Sequence, residues 1–240
     1  GGYFKENAIK LAYEFIINEL GIDRERITVS VFGGDKGDPS TNSGQTIPLD
    51  RESFEIWHSE IGLPKEKIKK HGRQDNFWGP TGNEGPCGPT TEIYVDGIEI
   101  WNIVFNEYCQ NPDKSLRKLD TPGVDTGMGL ERLAVMLRGA DNVFETDLFH
   151  PLISKIQEAK PGLEDRVLRV LADHLRASIF LIADGVRPSN KEAGYILRRL
   201  LRRILVYGIK YDIHADLFVL GADVVKDIFS DAYPEIAKTK

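Results

Sequence analysis

The sequence predicts an α+β protein in which an antiparallel sheet with flanking helices is followed by an all-α region. β-Prone runs follow one another between residues 91 and 119 without intervening helices, which argues against a parallel, doubly wound sheet. From Leu163 onward the hydrophobic pattern is wholly helical. Charge supports the division: residues 161 to 210 hold ten basic and five acidic side chains, a net +5, whereas the rest of the chain sums to −11.

The first third of the chain predicts two helices, one strand and two loops. Phe4 to Leu20 has the pattern of an amphipathic helix, and Arg26 to Phe32 alternates like a strand. Asp50 is placed to cap a helix that runs to about Ile61. The segments Gly33 to Thr46 and Gly72 to Pro89 are predicted loops. Loops of this length inside a domain more often carry a function than serve only as connections.

Residues Thr91 to Trp101 predict a β-hairpin, because Asp96-Gly97 joins two β-prone runs through a tight primed turn. The second strand is expected to continue to about Cys109. Asn111 to Asp113 then turns the chain into a further short strand near Leu116 to Leu119.

The remaining elements are predicted helices. One follows Val124 to Arg132 and runs to about Leu137, two lie near 163 to 184 and 189 to 207, and others follow Asp212. Ser189 to Glu192 fits a capping box for the second of these. We place the domain boundary at residues 158 to 162, which gives domains 1–160 and 161–240.

Composition narrows the class of protein. With 240 residues, 41% of them hydrophobic and 28% charged, the chain can bury a sizeable core. No apolar run approaches the ~18 residues of a membrane span, and Gly1 to Glu6 lacks a signal-peptide pattern, so a cytosolic location is expected. Cys87 and Cys109 are the only cysteines and have no metal-ligand spacing, so we expect two buried thiols and no zinc site.

The segment Asp125 to Arg132 is a candidate nucleotide site, because it is predicted to hold a strand end, two glycines at a turn and a helix start. Glycines let backbone N–H groups approach an anionic or flat ligand, and a helix N-terminus adds positive potential. Arg132 could grip a phosphate or stack on a base, and Asp125 could hold an ammonium group. An ordinary turn with a helix cap is the alternative.

The helix after Ser189 carries a basic face. Six apolar residues occupy one half of its wheel: Ile196, Leu197, Leu200, Leu201, Ile204 and Leu205. Four arginines occupy the other half, with no acid between them: Arg198, Arg199, Arg202 and Arg203. A solvated surface is one interpretation, and contact with RNA phosphates is the other.

Several segments resemble the class II aminoacyl-tRNA synthetases. Gly127 to Arg132 resembles their motif 3, and Val124 to Ala134 is similar to the alanyl-tRNA synthetase version. Further segments match that family in the same order: Asp75 to Trp78, Gly85 to Ile93, Ile98 to Phe105, Ala172 to Arg176, Ile182 to Asn190 and Gly194 to Arg199.

The resemblance implies roles for individual residues. Arg132, with Gly127 and Gly129, would bind ATP. Asp125 would receive the ammonium group of alanine, and Gly127 would line a small pocket. Trp78 would wall that pocket, with Asn102 beside it; without the family, Trp78 would be a core aromatic and Asn102 a strand amide bonded to backbone.

The resemblance also implies a reaction and its partners. ATP would activate alanine to alanyl-adenylate, and the alanyl group would pass to tRNA(Ala). Mg²⁺ is implied, with Glu92 and Glu99 as possible carboxylate ligands. Asn190 would contact the identity base pair of the acceptor stem from the minor groove, and the four arginines would contact its phosphates.

The chain also departs from the family, because motifs 1 and 2 are absent from its 240 residues. We therefore expect the chain alone to be inactive, with an N-terminal segment and a C-terminal editing region belonging to the parent enzyme. Two alternatives are a non-catalytic paralogue that binds the acceptor stem, and a relative in fold alone that serves assembly or regulation.

Overall fold

The computed structural model describes residues 2–35 and 46–238, which form two compact units, Gly1–Leu137 and Arg138–Lys240. The division falls earlier than the predicted boundary at 158 to 162, because the helix His150–Ala159 packs with the later helices. The assignment of separate functions to 1–160 and 161–240 stays a prediction. Most of the predicted 33 to 46 loop lies outside the described residues.

Two helices of the first unit agree with the prediction. Helix α1, Lys5–Glu14, continues as a π-helical turn, Phe15–Glu19. Helix α2, Arg51–Glu55, continues in the same way through Ile56–Glu60. The Asp50 carboxylate caps α2 by accepting a hydrogen bond from the Ser53 N–H at 3.1 Å, which confirms the predicted cap.

The first unit is built on a six-stranded sheet in the order β2-β1-β4-β5-β6, with β3 paired to β4. The strands are β1 Ile27–Phe32, β2 Ile68–His71, β3 Phe77–Trp78, β4 Gly85–Val95, β5 Ile98–Gln110 and β6 Leu116–Met128. All neighbours are antiparallel except β1 and β2, which are parallel. The α+β prediction is confirmed, although the sheet is mixed because α2 lies in a long crossover between β1 and β2.

The hairpin β4–β5 has the predicted turn, since Asp96 and Gly97 have φ values of 50° and 81°. Residues Ile93 and Val95 of β4 point into a hydrophobic core that includes Ile9 of α1 and Trp57 of the α2 segment. Because side chains alternate along a strand, Glu92 and its paired neighbours occupy the opposite side, here called the polar face.

Two predicted details in this unit are wrong. The segment 72 to 89 is not a single loop, because it contains a four-residue helix, α3 Arg73–Asn76, as well as β3 and the start of β4. The Asn76 amide fixes this segment by donating to Ser30 Oγ at 2.8 Å and Thr90 Oγ1 at 3.2 Å. Strand β6 is also much longer than the short strand expected near Leu116 to Leu119, because its pairing with β5 continues as far as Met128.

The second unit is helical, as predicted from Leu163 onward. Helix α4, Leu130–Arg138, leads out of the first unit, and the following helices are α5 His150–Ala159, α6 Asp165–Ala183, α7 Glu192–Lys210, α8 Leu217–Phe229 and α9 Pro234–Lys238. Their apolar faces meet in one core. Helix α5 was not anticipated. Within the described ranges, no helix combines the length and the apolar character needed to cross a membrane.

The predicted capping box of α7 is wrong. The helix begins at Glu192, with Lys191 at the cap position and no side-chain cap. The Ser189 hydroxyl instead donates to the Lys191 carbonyl at 3.0 Å, inside the preceding turn. Local bonding by serine thus replaces the expected cap.

Candidate functional site

A row of four residues crosses the polar face of the sheet. Ser30 of β1 pairs with Glu92 of β4, Glu92 pairs with Asn102 of β5, and Asn102 pairs with Gly127 of β6. Residues directly opposite one another on neighbouring strands share a face and lie side by side. The sheet therefore brings together two of the predicted site residues, Asn102 and Gly127, and adds Ser30 and Glu92 to them.

A second row of paired residues runs parallel to the first across β4, β5 and β6. Each of its members lies two residues away from a member of the first row on the same strand. Thr90 pairs with Val104, and Val104 pairs with Asp125. Asp125 consequently shares the polar face with Gly127 on the same strand, and its side chain is exposed. Buried Val104 contributes an apolar surface between Thr90 and Asp125.

Trp78 lies on β3, where it pairs with Gly88 of β4. Its side chain is 38% exposed, so it is not the fully buried core aromatic of the alternative interpretation. Gly88 sits in the irregular stretch of β4 between Cys87 and Thr90. Trp78 therefore lies beside that stretch and not directly opposite Asn102.

Gly88 is required by a close approach of β4 to β5. A Cβ atom there would lie 1.8 Å from the carbonyl oxygen of Phe105. Only glycine allows the two backbones this separation. The position of Trp78 thus depends on Gly88.

Glu92 is the centre of a hydrogen-bond network. Its Oε2 accepts from the Ser30 hydroxyl at 2.9 Å and from the Tyr94 hydroxyl at 2.5 Å, and its Oε1 accepts from Asn102 Nδ2 at 3.4 Å. The carboxylate is buried and forms no ion pair with any described residue. Burial raises the pKa of Tyr94, and its hydrogen bond to Glu92 adds to the shift, so the phenol remains a donor.

Asn102 is anchored through its backbone as well. Its carbonyl accepts from the Thr126 hydroxyl at 3.1 Å, and Thr126 Oγ1 accepts from Trp101 Nε1 at 2.6 Å. The side-chain oxygen, Oδ1, is buried and has no hydrogen-bond partner among the described residues. Buried carbonyl oxygens without a donor are uncommon, and this one retains the capacity to accept a hydrogen bond from a further group.

Asp125 and Gly127 do not form the predicted turn. Both lie within β6, and only Gly129 immediately precedes α4, where its N–H donates to the Ile100 carbonyl at 3.2 Å. A Cβ at Gly127 would meet no atom within 4 Å, whereas one at Gly129 would contact the Arg132 side chain at 3.4 Å. The protein's own packing therefore gives no reason for glycine at position 127.

Arg132 is in the first turn of α4 and is directed back toward β5. Its Nη1 donates to the Glu99 carbonyl at 3.0 Å and to Glu99 Oε2 at 3.1 Å. Glu99 pairs with Tyr94 across the hairpin. The guanidinium thus lies at the end of the polar face that carries Glu99, Tyr94 and Glu92.

The two carboxylates that could serve a metal ion differ in their surroundings. Glu92 is buried and already accepts three hydrogen bonds, whereas Glu99 is partly exposed and pairs with Arg132. Within residues 2–35 and 46–238 no group of three or more His, Cys, Asp or Glu side chains could hold a metal ion.

In the second unit, the four arginines of α7 are all exposed, as are Lys191 and Asn190 before the helix. Arg198 donates a hydrogen bond to the Asn190 side-chain oxygen, so the predicted base-contacting residue and one arginine lie together. The apolar half of the helix is only partly buried. Leu197 and Ile204 are buried, but Ile196 and Leu205 are 42% and 53% exposed, because α7 packs through a narrower strip than its sequence suggests.

The two cysteines are free thiols. Cys87 is fully buried, as predicted, and burial raises its pKa to about 11. Cys109 is only partly buried.

Sequence reasoning missed Ser30, Asn76 and Tyr94 as members of this site. Ser30 and Glu92 are separated by 62 residues, and no local pattern links them. A signal was available in one case, because a serine among the apolar residues of β1 needs a polar partner.

Comparison with known proteins gives a consistent result. The family model described as tRNA synthetases class II (A) matches residues 1–240. The alanine–tRNA ligases of Rubrobacter xylanophilus, Borrelia hermsii and Thermotoga maritima are 39%, 38% and 40% identical. These matches cover 100%, 100% and 99% of this chain but only 30%, 44% and 29% of the three relatives, so the chain spans less than half of their length.

Proposed function

The chain belongs to the class II tRNA synthetase (A) family, and from this premise we propose that its first unit binds alanine and ATP for the formation of alanyl-adenylate. The second unit would contact the acceptor stem of tRNA(Ala). One observation carries the proposal: Asn102, Asp125 and Gly127 share the polar face, with open space over Gly127.

Each part of alanine has a complementary group on this face. The exposed carboxylate of Asp125 suits the ammonium group, and Asn102 Oδ1 is a second acceptor. The open space over Gly127 suits the methyl group, with Val104 as apolar wall on one side and Trp78 on the β3 side. Such a pocket excludes large side chains but discriminates poorly against glycine and serine, since one methyl or hydroxyl group is worth only ~1–3 kcal/mol.

Arg132 is the residue we assign to ATP, with the backbone at Gly127 and Gly129 near the nucleotide. Its guanidinium can bind a phosphate through two parallel hydrogen bonds or stack on the base. The pairing with Glu99 holds the guanidinium at the end of the polar face. ATP would therefore compete with Glu99 for Arg132.

Magnesium would neutralise charge on the ATP phosphates when bound. Glu99 is the more suitable ligand of the two carboxylates, because Glu92 is buried and already accepts three hydrogen bonds. Mg²⁺ usually keeps several waters and takes only one or two protein carboxylates, so the lack of a larger acid cluster among the described residues is compatible with this assignment.

The chemistry joins an alanine carboxylate oxygen to the α-phosphorus of ATP as the bond to pyrophosphate breaks. Asp125 and Asn102 would hold the ammonium end so that the carboxylate faces the phosphate, and Arg132 would hold the phosphate end. Such a displacement depends on alignment and on cations near the developing charge, and it needs no protein base. Transfer of the alanyl group to a terminal ribose hydroxyl of tRNA would release AMP.

The tRNA contact is assigned to the start of α7. Arg198, Arg199, Arg202 and Arg203 are exposed and have no intervening acid, which suits the phosphates of an RNA stem. Asn190 is exposed beside Arg198 and would reach the identity base pair.

The direct test is the binding of alanyl-sulfamoyl adenosine, a stable mimic of alanyl-adenylate, measured by calorimetry. We expect the chain to bind it more tightly than the valyl analogue, because the branched side chain would have to fit between the two proposed walls of the pocket, Val104 and Trp78. Equal binding of the two analogues, or none of either, would contradict the proposal. Acceptor-stem binding without any adenylate binding would favour the second candidate, a non-catalytic paralogue that binds the acceptor stem.

A further inference from the structure

The orientation of the Asn102 side-chain amide is set by its neighbour on β4. Nδ2 donates to Glu92 Oε1 at 3.4 Å, and Oδ1 is turned away from the carboxylate. The reverse orientation would place the amide oxygen against a carboxylate oxygen, so that two acceptors would face each other without a hydrogen. A buried carboxylate thus allows only one orientation of the amide.

This orientation has a cost, because it leaves Oδ1 buried without a donor among the described residues. An unsatisfied buried carbonyl is destabilising, and a free amide would rotate if rotation supplied a partner. Glu92 prevents that rotation. Its own position is held by Ser30 at 2.9 Å and Tyr94 at 2.5 Å, and Ser30 is in turn held by Asn76.

On the far side of Asn102 lies Gly127, over which there is open space. A ligand ammonium placed in that space would have Asp125 along β6 and Asn102 across from it. An amide presents an acceptor to an ammonium group in one orientation and a repulsive N–H donor in the other. The amide orientation therefore decides whether the pocket attracts or repels a protonated amine.

We propose that Glu92 is a positioning residue of the amino-acid pocket: its carboxylate engages Nδ2 of the Asn102 amide, so that Oδ1, and not Nδ2, is the atom left to pair with the substrate ammonium group. The proposal rests on the proposed function of this pocket. It assigns Glu92 a role other than metal binding, and it extends the recognition of the ammonium group to a chain of contacts that begins at Asn76 and Ser30.

The substitution Glu92→Gln tests this directly. Ser30 and Tyr94 would keep donating to the remaining carbonyl oxygen, so the new NH₂ group would face Asn102 and favour the reversed amide. We expect the affinity for alanyl-sulfamoyl adenosine to fall about tenfold, since a hydrogen bond to a charged group is lost. Binding of propionyl-sulfamoyl adenosine, which lacks the amine, should be unchanged, as should binding of ATP.

The diagnostic quantity is the ratio of the two affinities, alanyl over propionyl, because general damage to the fold would weaken both analogues together. Asn102→Ala should lower the same ratio. The double variant should be no worse than Asn102→Ala alone, since Glu92 acts through Asn102. Thr28→Val is the matched control: Thr28 lies opposite Tyr94 on the same face and forms no hydrogen bond with Glu92, so the ratio should not change.

Each outcome bears on a different claim. If the unmodified protein does not bind the alanyl analogue, the proposed function fails and this inference with it. If it binds the analogue but Glu92→Gln leaves the ratio intact, or the two substitutions are additive, only the positioning role is refuted. Should Glu92→Gln fail to fold, an unchanged ratio in Asn102→Ala is sufficient to overturn the proposal.

Discussion

Asn102 and Gly127 lie directly opposite each other on β5 and β6, and no atom lies within 4 Å of a Cβ built on Gly127. We expect Gly127→Ala to weaken binding of alanyl-sulfamoyl adenosine by about tenfold or more, because the added methyl would occupy the space assigned to the substrate methyl. Thermal stability should be unchanged, since the new Cβ meets no atom within 4 Å. Gly123→Ala is the control: it lies on the same strand, has equally open surroundings, and should alter neither property.

Gly88→Ala should have the opposite effect to Gly127→Ala, because it is expected to destabilise the fold itself. Its Cβ would lie 1.8 Å from the Phe105 carbonyl oxygen, so β4 and β5 would have to separate. Overpacking of this kind costs about 1–3 kcal/mol or more. Chemical denaturation should show the loss, with Gly123→Ala as reference. A variant of unchanged stability would mean that the two backbones do not approach as closely as described.

Lys5 is expected to be a determinant of stability. It is 4% exposed and lies 2.7 Å from Asp50 and 2.5 Å from Glu107. Burial lowers its pKa, but the two carboxylates outweigh that effect and raise it. Lys5→Met should cost about 3–5 kcal/mol, because both carboxylates would be left without their cation.

Lys10→Met provides the comparison, on the same helix. Lys10 pairs with Glu6 and Glu60 at the surface, where such pairs contribute little. Its unfolding transition should coincide with that of the unmodified protein. Equal losses for the two variants would show that burial of the Lys5 pair is not what matters.

The thiols should differ in reactivity. At pH 8 iodoacetamide should label Cys109 in the folded protein and Cys87 only after denaturation, as mass spectrometry of the peptides would show. The pKa of Cys87 is raised from 9.0 to about 11 in the folded state, because burial favours the protonated thiol. The contribution of this thiol to the free energy of unfolding is therefore present below about pH 9 and is lost as the pH rises toward about 11. Rapid labelling of Cys87 at pH 8 would contradict its burial.

The basic face of α7 should contribute to RNA binding, and this contribution should decrease as the salt concentration rises. Arg198→Ala combined with Arg202→Ala is expected to weaken binding of an acceptor-stem duplex and to reduce the slope of log K against log salt by about 2, one for each phosphate contact. Arg166→Ala, which removes an exposed arginine from α6, should leave both unchanged. Equal affinity of the double variant and the unmodified chain would leave these arginines as solvated surface.

The sequence predicts the parts of this fold that depend on interactions between residues close together in the chain. The β4–β5 hairpin was predictable because Asp96-Gly97 favours its turn locally, and α6 and α7 were predictable from their periodicity. Helix α3 was not, because Asn76 is held by Ser30, which is 46 residues away in the chain. The length of β6 was also missed: Pro122 and the glycines weaken its pattern, yet an edge strand tolerates them.

The same distinction applies to the site. Motif resemblance identified Asn102, Asp125 and Gly127 as neighbours, and the pairing of β5 with β6 places them on one face. It did not identify the network around Glu92, because three of its members come from β1, β4 and β5 and meet only in the folded sheet. Roles that arise from pairing register are invisible until that register is known.

The two-residue turn at Asp96-Gly97 determines which side chains meet further along the hairpin, where Glu92 lies opposite Asn102. Because strand side chains alternate with a period of two, the parity of the turn determines which residues of β5 share a side with Glu92. Insertion of one residue there would move Asn102 onto the core side of the sheet and bring Trp101 to its place opposite Glu92. An insertion of two residues would restore the parity, so tolerance of length at this turn should alternate between odd and even.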